Sequence, residues 1–177
     1  MILSEQTFIE LAGKQEVLDA KIKAAKGIAE LPLERIELAY RVEAAECVNE
    51  MKGDMKYWSD KPMRGKEFLE EFVDALHFFL SFVNHQLKQD IEYGDKATLP
   101  GRYKRFAYIA GKMEERYGGQ NQVWGYAYLA LMRSDIYESF ALMSILVEEY
   151  GFTEQDIIDT YNRKNAVNHD RSDSGVY

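Results

Sequence analysis

Apolar residues recur at intervals of three and four along most of this chain, and strict alternation of apolar with polar residues is rare. The first stripe comprises Phe8, Leu11, Gln15, Leu18 and Ile22. A three-four spacing places side chains on one face of an α-helix, whereas a half-buried strand requires alternation. The chain also has only 3 prolines, so few positions can interrupt a helix. The sequence therefore predicts an all-α protein.

Caps and helix breakers divide the chain into six to seven predicted helices. Ser4 is a suitable N-cap for the first helix, which ends near Gly27, and Thr153 is a suitable cap for the last. The predicted helices cover about 4–26, 32–52, 66–87, 103–117, 121–133, 135–149 and 154–168, with loops over 54–64 and 90–102 and an irregular tail RSDSGVY. Because no repeat or change in composition marks a second domain, we expect residues 1–177 to form one helical bundle.

Charge and cysteine content narrow the class of function. The chain has 30 Asp and Glu residues against 22 Lys and Arg, a formal net charge of -8. This balance argues against extensive contact with the phosphates of a nucleic-acid polymer, although it permits a small anionic ligand. The single cysteine, Cys47, excludes an internal disulfide and fits a reducing cytosol. No apolar run is long enough to cross a membrane and no signal peptide is recognisable, so we expect a cytoplasmic protein.

Two predicted helices each carry a pair of acids three residues apart, Glu43 with Glu46 and Glu71 with Asp74. This spacing places both carboxylates of a pair on one helical face, about 4.5 Å apart along the axis. The residues around them are small or apolar, where an unpaired carboxylate is costly. If the two helices pack antiparallel, the four acids converge on one point. An oxygen-only ligand set of this kind suits Mg²⁺ or Mn²⁺.

The same acids have two other interpretations. A single E-x-x-E pair on a helix is commonly just a solvated face, although the nearby lysines lie at the helix ends and not among the acids. On the third helix, Glu67 and Glu70 offer an alternative frame one turn earlier. We favour Glu71 with Asp74 because their flanking residues are more apolar.

The last predicted helix places five polar or aromatic side chains on one face, namely Tyr161, Lys164, Asn165, Asn168 and Arg171. Their amide, ammonium and guanidinium groups suit phosphate oxygens and the polar edges of a base or sugar. The alternative is an ordinary solvated terminal helix.

Three further positions have both a binding and a structural interpretation. Gln15 lies within an apolar stripe, so it is either a base-reading amide or a core amide bonded to backbone. The segment MKYWSDK places Trp58 and a second aromatic beside Lys61, which suits stacking on a base and binding a phosphate, or else capping of the core. His77 follows Asp74 by three residues and either supports the acids or is a core histidine.

Together these residues resemble the dimeric all-α dUTPase family, within the wider group of all-α, MazG-type nucleotide pyrophosphohydrolases. The matching motifs are, in chain order, QEVLD at 15–19, E-x-x-E at 43–46 with the later K-Y-W-S-x-K at 56–61, E-x-x-D-x-x-H-F at 71–78, and Y-x-x-K-N-x-x-N-x-x-R with a closing G-x-Y at 161–177. The acid motifs mark the superfamily, and the terminal element points to the dUTPase branch. The resemblance spans most of the chain and is weakest over about 88–150.

This resemblance implies a homodimer that hydrolyses dUTP to dUMP and pyrophosphate. It implies that Glu43, Glu46, Glu71 and Asp74 hold Mg²⁺ ions on the substrate phosphates, and that Glu46 orients the attacking, metal-associated water. The implied substrate-binding residues are Gln15 and Asn168 at the uracil edge, Phe78 at the deoxyribose, Lys61, Lys164 and Arg171 at the phosphates, Tyr161, Asn165 and Tyr177 in the pocket lining, and Trp58 and His77 beside them. Residues 153–177 would form the nucleotide-binding element.

The chain departs from the family pattern in its aromatic segment and its tail. Met55 stands where an aromatic residue is expected, which leaves the stacking residue open among Met55, Tyr57 and Trp58. Ser172 follows the terminal arginine, and Val176 lies inside the G-x-Y element. These changes affect the expected base contacts and leave the acid motifs intact.

Three alternative functions remain open from the sequence. The nearest is a pyrophosphohydrolase on the same scaffold that acts on another nucleotide, such as dCTP or a modified nucleotide. A carboxylate-bridged di-iron bundle normally needs Glu-x-x-His on two helices, whereas this chain offers only Asp74-x-x-His77. The third is a non-enzymatic helical interaction protein whose acids are merely solvated.

Overall fold

The structure, a computed structural model, describes residues 2–94, 96–119 and 122–175. Within these residues it contains seven α-helices and one 3-10 turn and no β-strand, which confirms the all-α prediction. The elements are α1 (Glu5–Lys26), α2 (Leu33–Glu50), the 3-10 turn Lys52–Asp54, α3 (Gly65–Glu92), α4 (Leu99–Tyr117), α5 (Val123–Met132), α6 (Ile136–Glu149) and α7 (Glu154–Ser174). No helix in the described ranges combines the length and the apolar character needed to span a bilayer.

The first and last helices begin at the caps that the sequence indicated. Ser4 Oγ accepts a hydrogen bond from the backbone N–H of Thr7, and Gly27 ends α1 in a left-handed conformation with φ 64°. At the start of α7, Thr153 and Asp156 form a capping box. These side chains supply acceptors for N–H groups that the first turn of a helix leaves without partners, so they determine where each helix starts.

The predicted loop over 90–102 is wrong at both ends. α3 continues to Glu92 and α4 begins already at Leu99, so the connection is only 93–98. Asp90 of α3 pairs with Arg102 of α4. This ion pair stabilises the last turn of one helix against the first turn of the next, which a local reading of polar residues could not reveal.

The tail was also predicted incorrectly, because α7 remains helical up to Ser174. Lys21 of α1 donates to the carbonyl oxygen of His169 at 3.2 Å and lies 2.7 Å from a carboxylate oxygen of Asp173. The polar sequence of this segment suggested irregular structure, and packing against α1 stabilises it as helix instead.

α3 lies at the centre of the bundle and packs against α1, α2, α6 and α7. Its ring Phe79 stacks on Phe140 of α6 with centroids 4.1 Å apart, and Phe72 stacks on the same residue at 5.6 Å. Phe8 of α1 meets Phe79 edge to face at 6.4 Å. These aromatic rings are fully buried. Their packing fixes the rotation of α3 about its own axis and thereby determines the direction of its polar face.

α2 and α3 form an antiparallel hairpin. The backbone N–H of Arg64 donates to the carbonyl oxygen of Glu50 at 3.0 Å, and Cys47 Sγ donates to the carbonyl oxygen of Phe68 at 3.3 Å. Positions earlier on α2 therefore face positions later on α3. The antiparallel packing that the acid pairs required is confirmed.

α1 and α7 run side by side in the same direction. The backbone N–H of Ser4 donates to Glu154 Oε1 at 2.7 Å, near the start of both helices. Farther along, the hydroxyl of Tyr161 donates to the carbonyl oxygen of Leu11 at 3.2 Å. This arrangement brings the polar face of α7 against α1 and α3.

Candidate metal and nucleotide site

Three carboxylates converge on the α2–α3 hairpin, from Glu43 and Glu46 on α2 and Glu71 on α3. One carboxylate oxygen of each lies within 4.8 Å of the others. Glu43 and Glu71 are partly buried, whereas Glu46 is exposed to solvent. The three-residue spacing on α2 and the antiparallel packing of α3 produce this cluster, which we call the carboxylate cluster. Its oxygen-only donors match the preference of a hard divalent cation.

The cluster holds like charges at close range. Burial first, and then the charges of Asp74, Glu46 and Glu71, raise the pKa of Glu43 from 4.5 to about 7. Burial and the charge of Asp74 also raise the pKa of Glu71. Both shifts express a free-energy cost of keeping ionised carboxylates together without a cation between them.

Neighbouring acids on the same helices are instead neutralised by arginines. Glu50 lies 3.1 Å and Glu67 lies 2.5 Å from the guanidinium of Arg64. Glu70 lies 3.0 Å from Arg163 of α7. In the part of the chain that the structure describes, no cation forms an ion pair with the three acids of the carboxylate cluster. This arrangement favours Glu71 over the alternative frame of Glu67 and Glu70 as the partner for the α2 acids.

Asp74, the fourth predicted ligand, lies beside the carboxylate cluster and outside its group of three converging oxygens. Its Oδ2 lies 2.5 Å from the ammonium nitrogen of Lys164. Burial raises the pKa of Asp74, and the charges of Lys164 and Arg171 partly offset that rise. Lys164, which the sequence assigned to a phosphate, thus pairs with a predicted metal ligand in this structure.

A buried polar network joins α1, α3 and α7. Gln15 Nε2 donates to Asp19 Oδ1 at 2.7 Å. Gln15 Oε1 accepts from the hydroxyl of Tyr161 at 3.0 Å and lies 2.6 Å from His77 Nδ1. The rings of His77 and Tyr161 stack with centroids 4.1 Å apart. Because His77 bonds Gln15 and not the carboxylate cluster, the arrangement does not favour the di-iron alternative.

His77 is neutral, and one of its two ring nitrogens has no hydrogen-bond partner among the described residues. Burial, with a smaller effect from the charge of Lys164, lowers its pKa to about 3. Since Gln15 Oε1 can only accept, Nδ1 carries the proton and Nε2 is left as an acceptor. Within the described residues, His77 Nε2 and Asn165 Nδ2 are both buried without a hydrogen-bond partner. Buried polar atoms in this condition indicate room for a ligand or a water.

The polar face of α7 is not an ordinary solvated surface. Tyr161 is fully buried against α1, and Lys164 pairs with Asp74 of α3. Farther along, Asn168 is partly buried and Arg171 is exposed. On α3, Phe78 is partly buried and packs against the core. Of these predicted substrate-binding residues, Lys164 contacts Asp74 next to the carboxylate cluster, and the charge of Arg171 also acts on Asp74. Tyr177 lies outside the described residues.

The aromatic segment lies in the connection between α2 and α3. Trp58 is 69% exposed and Tyr57 is 93% exposed, and their rings meet edge to face at 4.8 Å. Neither ring caps the core of this chain, so that alternative is wrong. Trp58 and Lys61 belong to the lining of a pocket of about 680 Å³, whose other lining residues are Lys52, Lys56, Ser59, Pro62 and Arg64. This lining combines an exposed aromatic ring with four cations and contains no residue of the carboxylate cluster or of the Gln15 network.

Asp19 is the member of the site to which the sequence assigned no role. It ends the QEVLD stretch and follows Gln15 by four residues, so both side chains lie on one face of α1. That spacing was the available signal. Arg163 had no comparable signal, because it reaches Glu70 from a different helix.

A comparison with known protein families finds a match over nearly the whole chain. A family model described as dUTPase matches residues 7–176. No curated protein matches the chain. The matched range contains the carboxylate cluster, the Gln15 network and the polar face of α7, so the likeness extends beyond the acid motifs.

Proposed function

The chain belongs to the dUTPase family and hydrolyses dUTP; we propose that it does so with Mg²⁺ held by the carboxylate cluster, releasing dUMP and pyrophosphate. The convergence of three carboxylate oxygens within 4.8 Å of one another carries this proposal. The raised pKa values of Glu43 and Glu71 support it, because among the described residues no lysine or arginine forms an ion pair with the carboxylate cluster.

The ligands would be Glu43, Glu46 and Glu71, with Asp74 joining them when Lys164 turns to a substrate phosphate. Mn²⁺ would serve as a substitute, since the site offers only oxygen donors. Such an ion supplies neutralisation of phosphate charge and a water of lowered pKa.

We assign the role of general base to Glu46. It is the exposed member of the carboxylate cluster, so its carboxylate can reach a water that stands in line with the bond to the leaving pyrophosphate. Glu46 orients this water and accepts its proton. Lys61, Lys164 and Arg171 bind the phosphate oxygens with charge-assisted hydrogen bonds.

The base and sugar would occupy the space between α1, α3 and α7. Gln15 and Asn168 contact the uracil edge, and Phe78 packs on the deoxyribose where a 2′-hydroxyl must be excluded. The other residues assigned to the substrate are Trp58 as the stacking ring and His77, Tyr161, Asn165 and Tyr177 as pocket lining. Residues 1–177 would act as one catalytic domain with 153–177 as its nucleotide-binding element.

We also propose a homodimer built on α2 and α5. These adjacent helices expose five large apolar side chains, namely Leu38, Val42, Trp124, Tyr128 and Met132. Large apolar side chains exposed together on adjacent helices are typical of a protein interface. Light scattering coupled to size exclusion should give twice the mass of one chain, and Leu38→Glu should lower that mass towards one chain.

We also propose a cytoplasmic location, on the basis of the single cysteine. Cys47 is buried and unpaired, which fits a reducing compartment. Fractionation of cells that produce the tagged protein would test this location.

The test of the catalytic proposal is pyrophosphate release from dUTP, dCTP, dTTP and UTP with Mg²⁺. The wild type should prefer dUTP, and activity should disappear with EDTA and return with Mg²⁺ or Mn²⁺. Glu46→Gln should lower kcat by roughly 100-fold or more. Glu67→Gln is the matched control, because Glu67 lies outside the carboxylate cluster and pairs with Arg64; it should retain kcat within about threefold, the range of an exposed ion pair.

Each result has a distinct meaning. Equal losses in Glu46→Gln and Glu67→Gln would remove the catalytic role of the carboxylate cluster. A preference for dCTP would leave the metal site in place and overturn the assigned base. Inertness towards every nucleotide would favour the non-enzymatic interaction protein.

A further inference from the structure

We infer that Asp19 and Tyr161 are positioning residues for base selection: they hold the side-chain amide of Gln15 in one orientation, so that it presents a hydrogen-bond donor to uracil and rejects cytosine. This inference rests on the proposed function, in which Gln15 faces the base. It assigns the selectivity between two pyrimidines to side chains that need not touch the base themselves.

The chemical problem is that a glutamine amide can rotate by half a turn, which exchanges the positions of its oxygen and its nitrogen. Uracil presents a carbonyl oxygen at the ring position where cytosine presents an amino group. A freely rotating amide would offer its N–H₂ to uracil and its oxygen to cytosine, and would therefore accept both. Discrimination requires that one of these two orientations be excluded.

The contacts of Gln15 exclude one orientation. Its Nε2 donates to Asp19 Oδ1 at 2.7 Å, and a carboxylate oxygen that carries no proton can only accept. Its Oε1 receives the hydroxyl of Tyr161 at 3.0 Å and lies 2.6 Å from His77 Nδ1. Turning the amide would place its oxygen against the carboxylate of Asp19, and it would also require the Tyr161 hydroxyl and the His77 ring to become acceptors.

Burial makes this preference strong. Gln15 is 4% exposed, His77 is 5% exposed and Tyr161 is fully buried, so water cannot replace a bond that rotation would break. The stacking of His77 on Tyr161 at 4.1 Å fixes both donors relative to each other. A buried hydrogen bond lost without replacement costs far more than an exposed one.

The remaining hydrogen-bonding capacity of Gln15 is a donor. Its oxygen already receives Tyr161 and His77, whereas its nitrogen has one bond, to Asp19, and a second hydrogen without an acceptor among the described residues. Uracil can accept that hydrogen. Cytosine in the same place would set an N–H group against an N–H group and leave both unpaired, which corresponds to roughly 10- to 100-fold weaker binding.

The decisive variant is Asp19→Asn, which nearly preserves the shape of the side chain. An amide at position 19 can donate or accept, so it permits both orientations of Gln15. We expect the ratio of kcat/KM for dUTP over dCTP to fall about tenfold or more, mainly because dCTP improves. The dissociation constants of dUMP and dCMP, measured by calorimetry, should converge in the same way. Glu16→Gln is the matched control, because Glu16 carries the same charge next to the network and, among the described residues, forms its ion pair with Lys88.

Tyr161→Phe is the second variant, and it keeps the ring that stacks on His77 while removing one donor to Gln15. We expect it to lower the same ratio by about threefold, less than Asp19→Asn, since His77 still contacts the amide oxygen. Melting temperatures of all variants report whether the fold is intact, and Tyr161→Phe carries the test if Asp19→Asn does not fold.

The outcomes separate this inference from the proposed function. A wild type that releases no pyrophosphate from dUTP refutes the proposed function. A wild type that prefers dUTP, with an unchanged preference in both folded variants, leaves the proposed function standing and overturns the inference. A parallel loss of dUTP and dCTP turnover, with a constant ratio, also overturns it, because it shows a structural role alone.

Discussion

Replacing Glu43 by glutamine should stabilise the metal-free protein while removing its response to Mg²⁺. In the folded protein it is costly to ionise the carboxyl of Glu43, since burial and the neighbouring acids raise its pKa from 4.5 to about 7. If Glu43 is a metal ligand, as we propose, it serves binding at the expense of stability.

The magnitude follows from that pKa. Each unit of pKa corresponds to ~1.4 kcal/mol, so full conversion of the change gives ~3.4 kcal/mol. Glu43 is only partly buried, and solvent screening reduces the expected effect to roughly 1 to 2 kcal/mol. The remaining raised acids, Glu71 and Asp74, are present in both proteins, so the difference between wild type and variant reports on Glu43.

The direction of the Glu43 pKa shift determines the pH range over which Glu43→Gln is more stable than the wild type. A carboxyl whose pKa is higher in the folded than in the unfolded state favours folding fully below pH 4.5, and this contribution disappears as the pH rises through about 7. The advantage of Glu43→Gln over the wild type should therefore be small at about pH 5 and reach its full size at about pH 8.

The assay is urea denaturation in EDTA across that range, followed by melting curves with and without Mg²⁺. Mg²⁺ should raise the melting temperature of the wild type, because it binds only the folded state, and should raise that of Glu43→Gln much less. Glu67→Gln serves as control, since the hydrogen bond from Arg64 lowers the pKa of Glu67 and its replacement should give no such advantage at pH 8. The reasoning fails if Glu43→Gln is no more stable than wild type at pH 8, or if its advantage is the same at pH 5.

Three other predictions test the surroundings of the site. Gly53→Ala should lower the melting temperature and weaken dUTP binding, because a Cβ there would lie 2.6 and 2.8 Å from two backbone carbonyl oxygens of the segment that carries Trp58; an unchanged melting curve would contradict this. Lys164→Met should tighten Mg²⁺ binding several-fold in calorimetry without nucleotide, because it removes the cation that pairs with Asp74, yet raise KM for dUTP about tenfold through a lost phosphate contact; a fall in Mg²⁺ affinity would contradict it. Phe79→Ala should cost about 3 to 5 kcal/mol of unfolding free energy in urea, as expected for a buried aromatic residue in a close-packed core, and a cost below about 1 kcal/mol would show that the core can collapse around it.

The carboxylate cluster illustrates how far the sequence alone could lead. The spacing of Glu43 and Glu46 was sufficient to place both on one face of a helix, because the geometry of a helix is local and regular. On α3, the flanking residues favoured Glu71 with Asp74 over Glu67 with Glu70 without excluding the latter. The tertiary structure adds a second argument for Glu71, since Arg64 and Arg163 pair with Glu67 and Glu70 and leave Glu71 for the cluster.

The Gln15 network shows the opposite case. The sequence placed Gln15 in an apolar stripe and could not distinguish a core amide from a base reader. The structure surrounds it with Asp19, His77 and Tyr161 from three different helices. Nothing in the local spacing of α7 indicates that Tyr161 contacts α1, because that contact depends on the relative positions of two helices distant in the chain.

By itself, then, the sequence determined the all-α class, the starts of capped helices and the acid pairs, since each of these depends on interactions within a few turns of one helix. Only the tertiary structure decided that α7 extends to Ser174, that Asp74 pairs with Lys164, and that Gln15 contacts Asp19, His77 and Tyr161. The physical reason is that these features arise from packing between helices, where one buried contact outweighs the local preference of a segment.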